Sequence, residues 1–174
     1  MGPTNFRMLR AALSVLVATS YSSQLAAHND VVCSEIMAVI AHARTGFREL
    51  KGESLRPLVR GDARYRAVRA LPGAGDCQIA VDRDKAEFEC AWYIGDAKEL
   101  EKQYRAFADA IKICLSEYST HDDEERPSTT GDRISPATVR IAISDKLSVI
   151  LHKWSYTTTS TRTRIQLRIR ESKG

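Results

Sequence analysis

Four arginines, Arg162, Arg164, Arg168 and Arg170, recur at even positions near the end of the chain, with Gln166 between them. Successive side chains of an extended strand point to opposite faces, so these guanidinium groups share one face. Thr163, Ile165, Leu167 and Ile169 share the other. A hairpin with the preceding strand sets Trp154 near Arg164 and Tyr156 near Arg162. Arginine over an aromatic ring holds planar anionic or sugar-like groups by charge-assisted hydrogen bonds and ring contact. The implied partners are an acidic protein, an anionic envelope polymer or a phosphate. The same pattern also suits a solvated sheet face whose arginine stems cover aromatic rings.

Other reactive residue types form no comparable constellation. No Gly-x-Ser-x-Gly elbow, phosphate loop or His-Glu-x-x-His motif occurs. With Cys33, Cys77, Cys90 and Cys114 all paired, no thiolate nucleophile remains. Catalysis is therefore unsupported, and a small hydrolase using a scattered carboxylate pair is the alternative. His28, His42, His121 and His152 are dispersed. A terminal His28 could chelate copper through its amine and ring, but no spacing supports a second ligand, and a frayed terminus is the plainer reading. Asp122, Asp123, Glu124 and Glu125 lack the alternating ligands and glycine of a calcium loop and read as a solvated charge run. Arg60-Gly61-Asp62 reads as a turn before a strand rather than an adhesion motif. No metal or other cofactor is implied.

The four cysteines admit three pairings. Cys77, Ile79 and Val81 alternate with polar or small residues, as do Phe88, Cys90 and Trp92, so both runs read as half-buried strands. If Arg83 and Asp84 form a two-residue turn, Cys77 faces Cys90 at a non-hydrogen-bonded pair, where Cα atoms lie ~4.5 Å apart. That pairing leaves Cys33 for Cys114, each on a helical pattern. Two antiparallel helices would bring them together. Closing so long a loop stabilises a fold by ~4 kcal/mol in the chain-entropy model. No pair shows the Cys-x-x-Cys spacing of a zinc site.

The elements that position these residues follow a leader. Arg7 and Arg10 precede the apolar run from Ala11 to Ala18, and Leu25-Ala26-Ala27 supplies a small-residue exit. This is the order of a secretory signal peptide over residues 1–27, with cleavage after Ala27 or after Ser22. The apolar run is shorter than the ~18 to 20 residues that span a bilayer. The expected product is a periplasmic or secreted protein whose residues 28–174 form one domain, acting as a monomer. Without Arg7 and Arg10 the chain carries 24 basic against 22 acidic residues, so bulk charge names no partner. From Arg140 onward eight basic residues face only Asp145 and Glu171. Nucleic acid is a poor fit, since the rest of the surface is acidic.

Apolar residues at three- and four-residue steps from Val32 to Leu50 predict a helix over Asp30 to Leu50. A second helix begins at a capping box formed by Asp96 and Glu99 and buries Leu100, Tyr104, Phe107, Ile111 and Leu115. Arg64 to Leu71 predicts a first strand, entered from an irregular stretch, Gly52 to Gly61. Ser119 to Pro136 has the composition of a solvated loop. Strands follow near Val139 to Ile143, Leu147 to Tyr156 and Thr161 to Arg170. The expectation is an α+β fold in the order α-βββ-α-βββ, with two helices packed on one face of a mainly antiparallel sheet.

The Phe47-Arg48-Glu49-Leu50-Lys51-Gly52 segment, the Leu71-Pro72-Gly73-Ala74 turn, the Glu89-Cys90-Ala91-Trp92 strand and Cys114-Leu115 resemble a pattern found in small secreted bacterial proteins without an assigned function. The resemblance spans Cys33 to Leu115. It implies a two-disulfide frame and carries no activity. The whole sequence points to an exported, non-catalytic binding or interaction protein, for example one that inhibits or neutralises another exported protein through its arginine-rich face.

Overall fold

The alternating runs around Cys77 and Cys90 fold as expected into a hairpin, and that hairpin lies inside a sheet much larger than the pattern implied. The computed structural model describes residues 30–58, 62–83, 85–124, 126–127, 134–155 and 163–172. The leader at residues 1–27, His28, Tyr156 and Arg162 fall outside the described residues. Helix α1 covers residues 30–41. Short 3-10 turns follow at Ala43–Thr45 and Arg48–Leu50, then β1 (Lys51–Leu58), β2 (Asp62–Ala67), β3 (Asp76–Asp82) and β4 (Lys85–Tyr93). Next come α2 (Ala97–Cys114), β5 (Ser119–Asp123), the short β6 (Arg126–Pro127) and β7 (Ile134–Ser135), β8 (Ala137–Ala142), β9 (Leu147–Trp154) and β10 (Arg164–Ser172).

Eight of these strands form one antiparallel sheet in the order β1-β2-β3-β4-β10-β9-β8-β5, and β6 pairs with β7 separately. The expected balanced α+β fold in the order α-βββ-α-βββ is therefore corrected to a mostly β structure. Two strands account for the difference within the main sheet. The stretch from Gly52 has an irregular pattern that holds Gly52 and Pro57, yet it forms β1 at the sheet edge, where a missing ladder donor is tolerated. Its register with β2 shifts twice, which erases any simple alternation. Likewise Ser119–Asp123 has a polar composition that predicts a loop. It is the opposite edge strand, exposed at every residue, so no buried face marks it in sequence.

The helix expected to run to Leu50 also stops early. Gly46 and Phe47 take left-handed backbone angles, φ 61° and 57°, which end the helical path. Phe47 is a bulky residue to hold there. Its ring is fully buried and packs 6.2 Å from that of Phe88, which offsets the backbone cost. Helix α2 begins as expected: the Asp96 side chain accepts a hydrogen bond of 2.8 Å from the Glu99 amide.

One core joins Ile36, Val39, Leu100 and Ile111 from the helices to Ile79, Phe88, Leu151, Leu167 and Ile169 from the sheet. Cys77 pairs with Cys90 across β3 and β4, with Cα atoms 4.2 Å apart. Arg83 turns that hairpin with φ 39°. Cys33 is bonded to Cys114, linking the first turn of α1 to the last turn of α2. Lys153 on β9 reaches Glu101 on α2 at 2.6 Å, and Lys112 on α2 reaches Asp122 on β5 at 2.5 Å. No helix among the described residues is long and apolar enough to cross a membrane.

The strand order contains a repeated plan. Helix α1 precedes β1 to β4, α2 precedes β5 and β8 to β10, and the last strands of the two units, β4 and β10, are neighbours. From that seam outward β3 matches β9, β2 matches β8 and β1 matches β5.

Candidate functional site

The pleat sends alternate residues of every strand away from the apolar core, and on that side the registers align polar side chains in rows. Trp154, Arg164 and Tyr93 form one row across β9, β10 and β4. Thr138, His152, Gln166 and Ala91 form the next. Arg140, Ile150, Arg168, Glu89 and Gln78 follow. Ser148, Arg170, Glu87 and Ala80 come last, with Arg64 opposite Ala80 on β2. The structure thus brings Arg164, Arg168, Arg170 and Trp154 to one face. Arg162 and Tyr156 lie outside the described residues.

The arginines of β10 do not stand alone. Arg170 reaches Glu87 through Nε at 3.0 Å and Nη2 at 2.9 Å. Arg168 lies 3.1 Å from Glu87 through Nε and 3.3 Å from Glu89 through Nη2. The Nε contact is an ion pair without a well-directed hydrogen bond. Glu89, only 6% exposed, also accepts from Arg64 at 3.2 Å and from Gln78 at 2.8 Å. Two glutamates and three arginines therefore form one network across the β4–β10 seam. Much of the expected patch is neutralised by the chain's own acidic strand.

Charge on the face is divided accordingly. On β2, β3 and β4 it carries Asp62, Asp76, Asp82, Glu87 and Glu89 against Arg64, Arg66 and Lys85. On β8, β9 and β10 it carries Arg140, Arg164, Arg168 and Arg170 and no acid. Arg140 and Arg164 have no ion pair among the described residues. The Arg164 guanidinium lies 5.8 Å from the centre of the Trp154 ring, and its Nε is buried without a hydrogen-bond partner among the described residues. Beside it, Trp154 Nε1 donates to Gln166 Oε1 at 3.1 Å, and Thr138 Oγ1 lies 3.0 Å from His152 Nδ1. Thr138 and Gln166 are buried. Burial first, then the charges of Arg168, Arg140, Arg170 and Arg164, lower the His152 pKa to about 4. The imidazole is neutral at pH 7.

No protein-family model matches the chain, and no curated protein or solved structure does either. The chemistry of the face is the guide to function.

Other sequence candidates are scattered. His42 pairs with Glu49 at 3.0 Å, and His121 with Asp123 at 3.3 Å on β5, where they stand opposite Arg140 and Thr138 at the edge of the polar face. Among the described residues no group of three or more His, Cys, Asp or Glu could hold a metal ion. The acidic run is drawn out along β5, where Asp122 binds Lys112 and Asp123 binds His121. A hydrogen bond with Asp82 raises the Asp62 pKa, but this pair sits at a strand end beside the exposed turn at Arg83. Sequence reading missed Glu87, Glu89, Arg64, His152, Thr138 and Tyr93. A signal existed for the glutamates: Glu87 and Glu89 share the parity of a strand face, as do Arg168 and Arg170. What was lacking was the pairing of β4 with β10, which joins residues 71 to 87 positions apart.

Proposed function

We propose that this protein is an exported, non-catalytic binding protein that takes an acidic partner on the β8–β9–β10 half of its polar sheet face. One observation carries the reading: Tyr93, Arg164 and Trp154 stand side by side in one row, with the Arg164 charge answered by no carboxylate among the described residues. Trp, Tyr and Arg are the residue types that dominate binding energy at interfaces. Arg140 extends the positive charge of the same half. Export is supported by the leader-like N-terminus and by two disulfides, which form and persist in oxidising compartments. The central carboxylates Glu87 and Glu89 are held by arginines, which fits a structural role better than acid–base work.

The test is binding of the purified mature chain to immobilised poly-glutamate across a salt series. The reading expects affinity that falls steeply with salt and is lost when Arg140 and Arg164 are both changed to Glu. Absence of binding at low salt to both poly-glutamate and a carboxylated polysaccharide would overturn it.

A further inference from the structure

The surroundings of Arg164 specify more than an acidic partner. A guanidinium whose Nε is buried without a partner among the described residues lies beside an indole, and the next row holds the uncharged polar side chains Thr138, His152 and Gln166, ending on β5 at Asp123, which pairs with His121. Gln166 spends its carbonyl oxygen on Trp154, and its amide nitrogen donates to no group among the described residues. His152 turns Nδ1 to Thr138, and its Nε2 makes no hydrogen bond among the described residues. A peptide carboxylate would use the arginine alone. A ring bearing both hydroxyls and a carboxylate would use every group: the indole for its C–H face, the arginine for its charge, the amide and imidazole for its hydroxyls.

We propose that this half of the face binds a carboxylated saccharide of the uronic-acid type, with Trp154 under a sugar ring and Arg164 on its carboxylate. This rests on the reading of the face as a site for an acidic partner. The spacing favours an oligomer over a single sugar. Arg140 lies two strands from Arg164 and, through Ile150 and Arg168, four residues further along the strand direction. At ~4.8 Å per strand and ~3.3 Å per residue that is roughly 10 Å across and 13 Å along. One sugar cannot reach both arginines, whereas a short polyanionic chain presents a carboxylate to each. The neutral state of His152 lets its ring accept a hydrogen bond from a sugar hydroxyl at pH 7.

The experiment is titration of the mature protein with a galacturonate oligomer, its methyl-esterified form and poly-glutamate, by calorimetry and tryptophan fluorescence. Trp92 is buried and donates to the Pro72 carbonyl, so a ligand-induced fluorescence change reports on Trp154. The acid oligomer should bind with a fluorescence change, and esterification should weaken it at least tenfold, about the value of one lost charged hydrogen bond. Arg164→Gln should weaken it about tenfold to a hundredfold, while Lys102→Gln on the exposed side of α2 leaves it unchanged. Should Arg164→Gln fail to fold, the acid against ester comparison on the unaltered protein decides alone. Equal affinity for acid and ester overturns the saccharide proposal, as does binding of poly-glutamate without the oligomer, which leaves the acidic-partner reading standing. Binding of neither polyanion overturns both.

Discussion

Removing the Glu89 carboxylate should be the most costly single change on the polar face. Glu89 is 6% exposed and receives Arg64 at 3.2 Å, Gln78 at 2.8 Å and Arg168 at 3.3 Å. Hydrogen bonds to charged groups contribute about 1.5 to 3 kcal/mol each, and breaking a buried ion pair costs about 3 to 5 kcal/mol. Arg168 and Arg64 keep 24% and 32% of their side-chain surface, so water recovers part of what they lose. Glu89→Ala should therefore lower the unfolding free energy by about 2 to 3 kcal/mol. The measurement is urea unfolding at pH 7 with disulfides intact, requiring an unchanged m-value so that the midpoint shift reports stability. A double variant, Glu89→Leu with Arg168→Leu, should recover at least half of the loss, since the more buried of the two stranded charges is gone and only the better-solvated Arg64 remains. A loss under about 0.5 kcal/mol in Glu89→Ala would refute the reasoning, because it would mean the network is no stronger than solvated surface pairs.

Three further outcomes follow from named contacts. Cys33→Ser with Cys114→Ser opens a loop of sequence separation 81 and should cost about 4.5 kcal/mol, against about 3 kcal/mol for removal of the Cys77–Cys90 bond of separation 13, as read from unfolding midpoints. His152 has a folded pKa of about 4 against an ordinary 6.5, so the unfolded chain takes up the proton first and stability falls as pH drops from 6.5 towards 4. His152→Gln should flatten that decline by about 2 kcal/mol, less than the full shift because the half-buried ring still meets solvent; a pH series of unfolding midpoints measures it. Asp96→Ala removes the cap of α2 and should cost about 1 kcal/mol in the same assay, with Asp96→Ser restoring most of it.

What the sequence disclosed, and what it hid, follow the range of the interactions. The β3–β4 hairpin was legible because counting outward from Arg83 and Asp84 sets Ile79 against Phe88 and Cys77 against Cys90, and the sheet keeps that register. The cap at Asp96 and the pairing of Arg164 with Trp154 are equally local. Edge strands were hidden because their side chains meet water on both faces or carry bulges, as at Ser119–Asp123 and Lys51–Leu58. The site changed meaning for a different reason. Arg168 and Arg170 were read as a surface, yet their glutamates lie on a strand far away in sequence, and no periodicity within β10 could announce them.

Placing β10 between β4 and β9 has a consequence for biogenesis. The latest-synthesised of the described strands is the one at the middle of the sheet, so neither four-strand unit can acquire its neighbour until residue 172 has emerged. Until then β4 and β9 each offer an unpaired, apolar edge to any passing strand. A nascent chain of this design completes its eight-stranded sheet only once β10 is available to join β4 to β9.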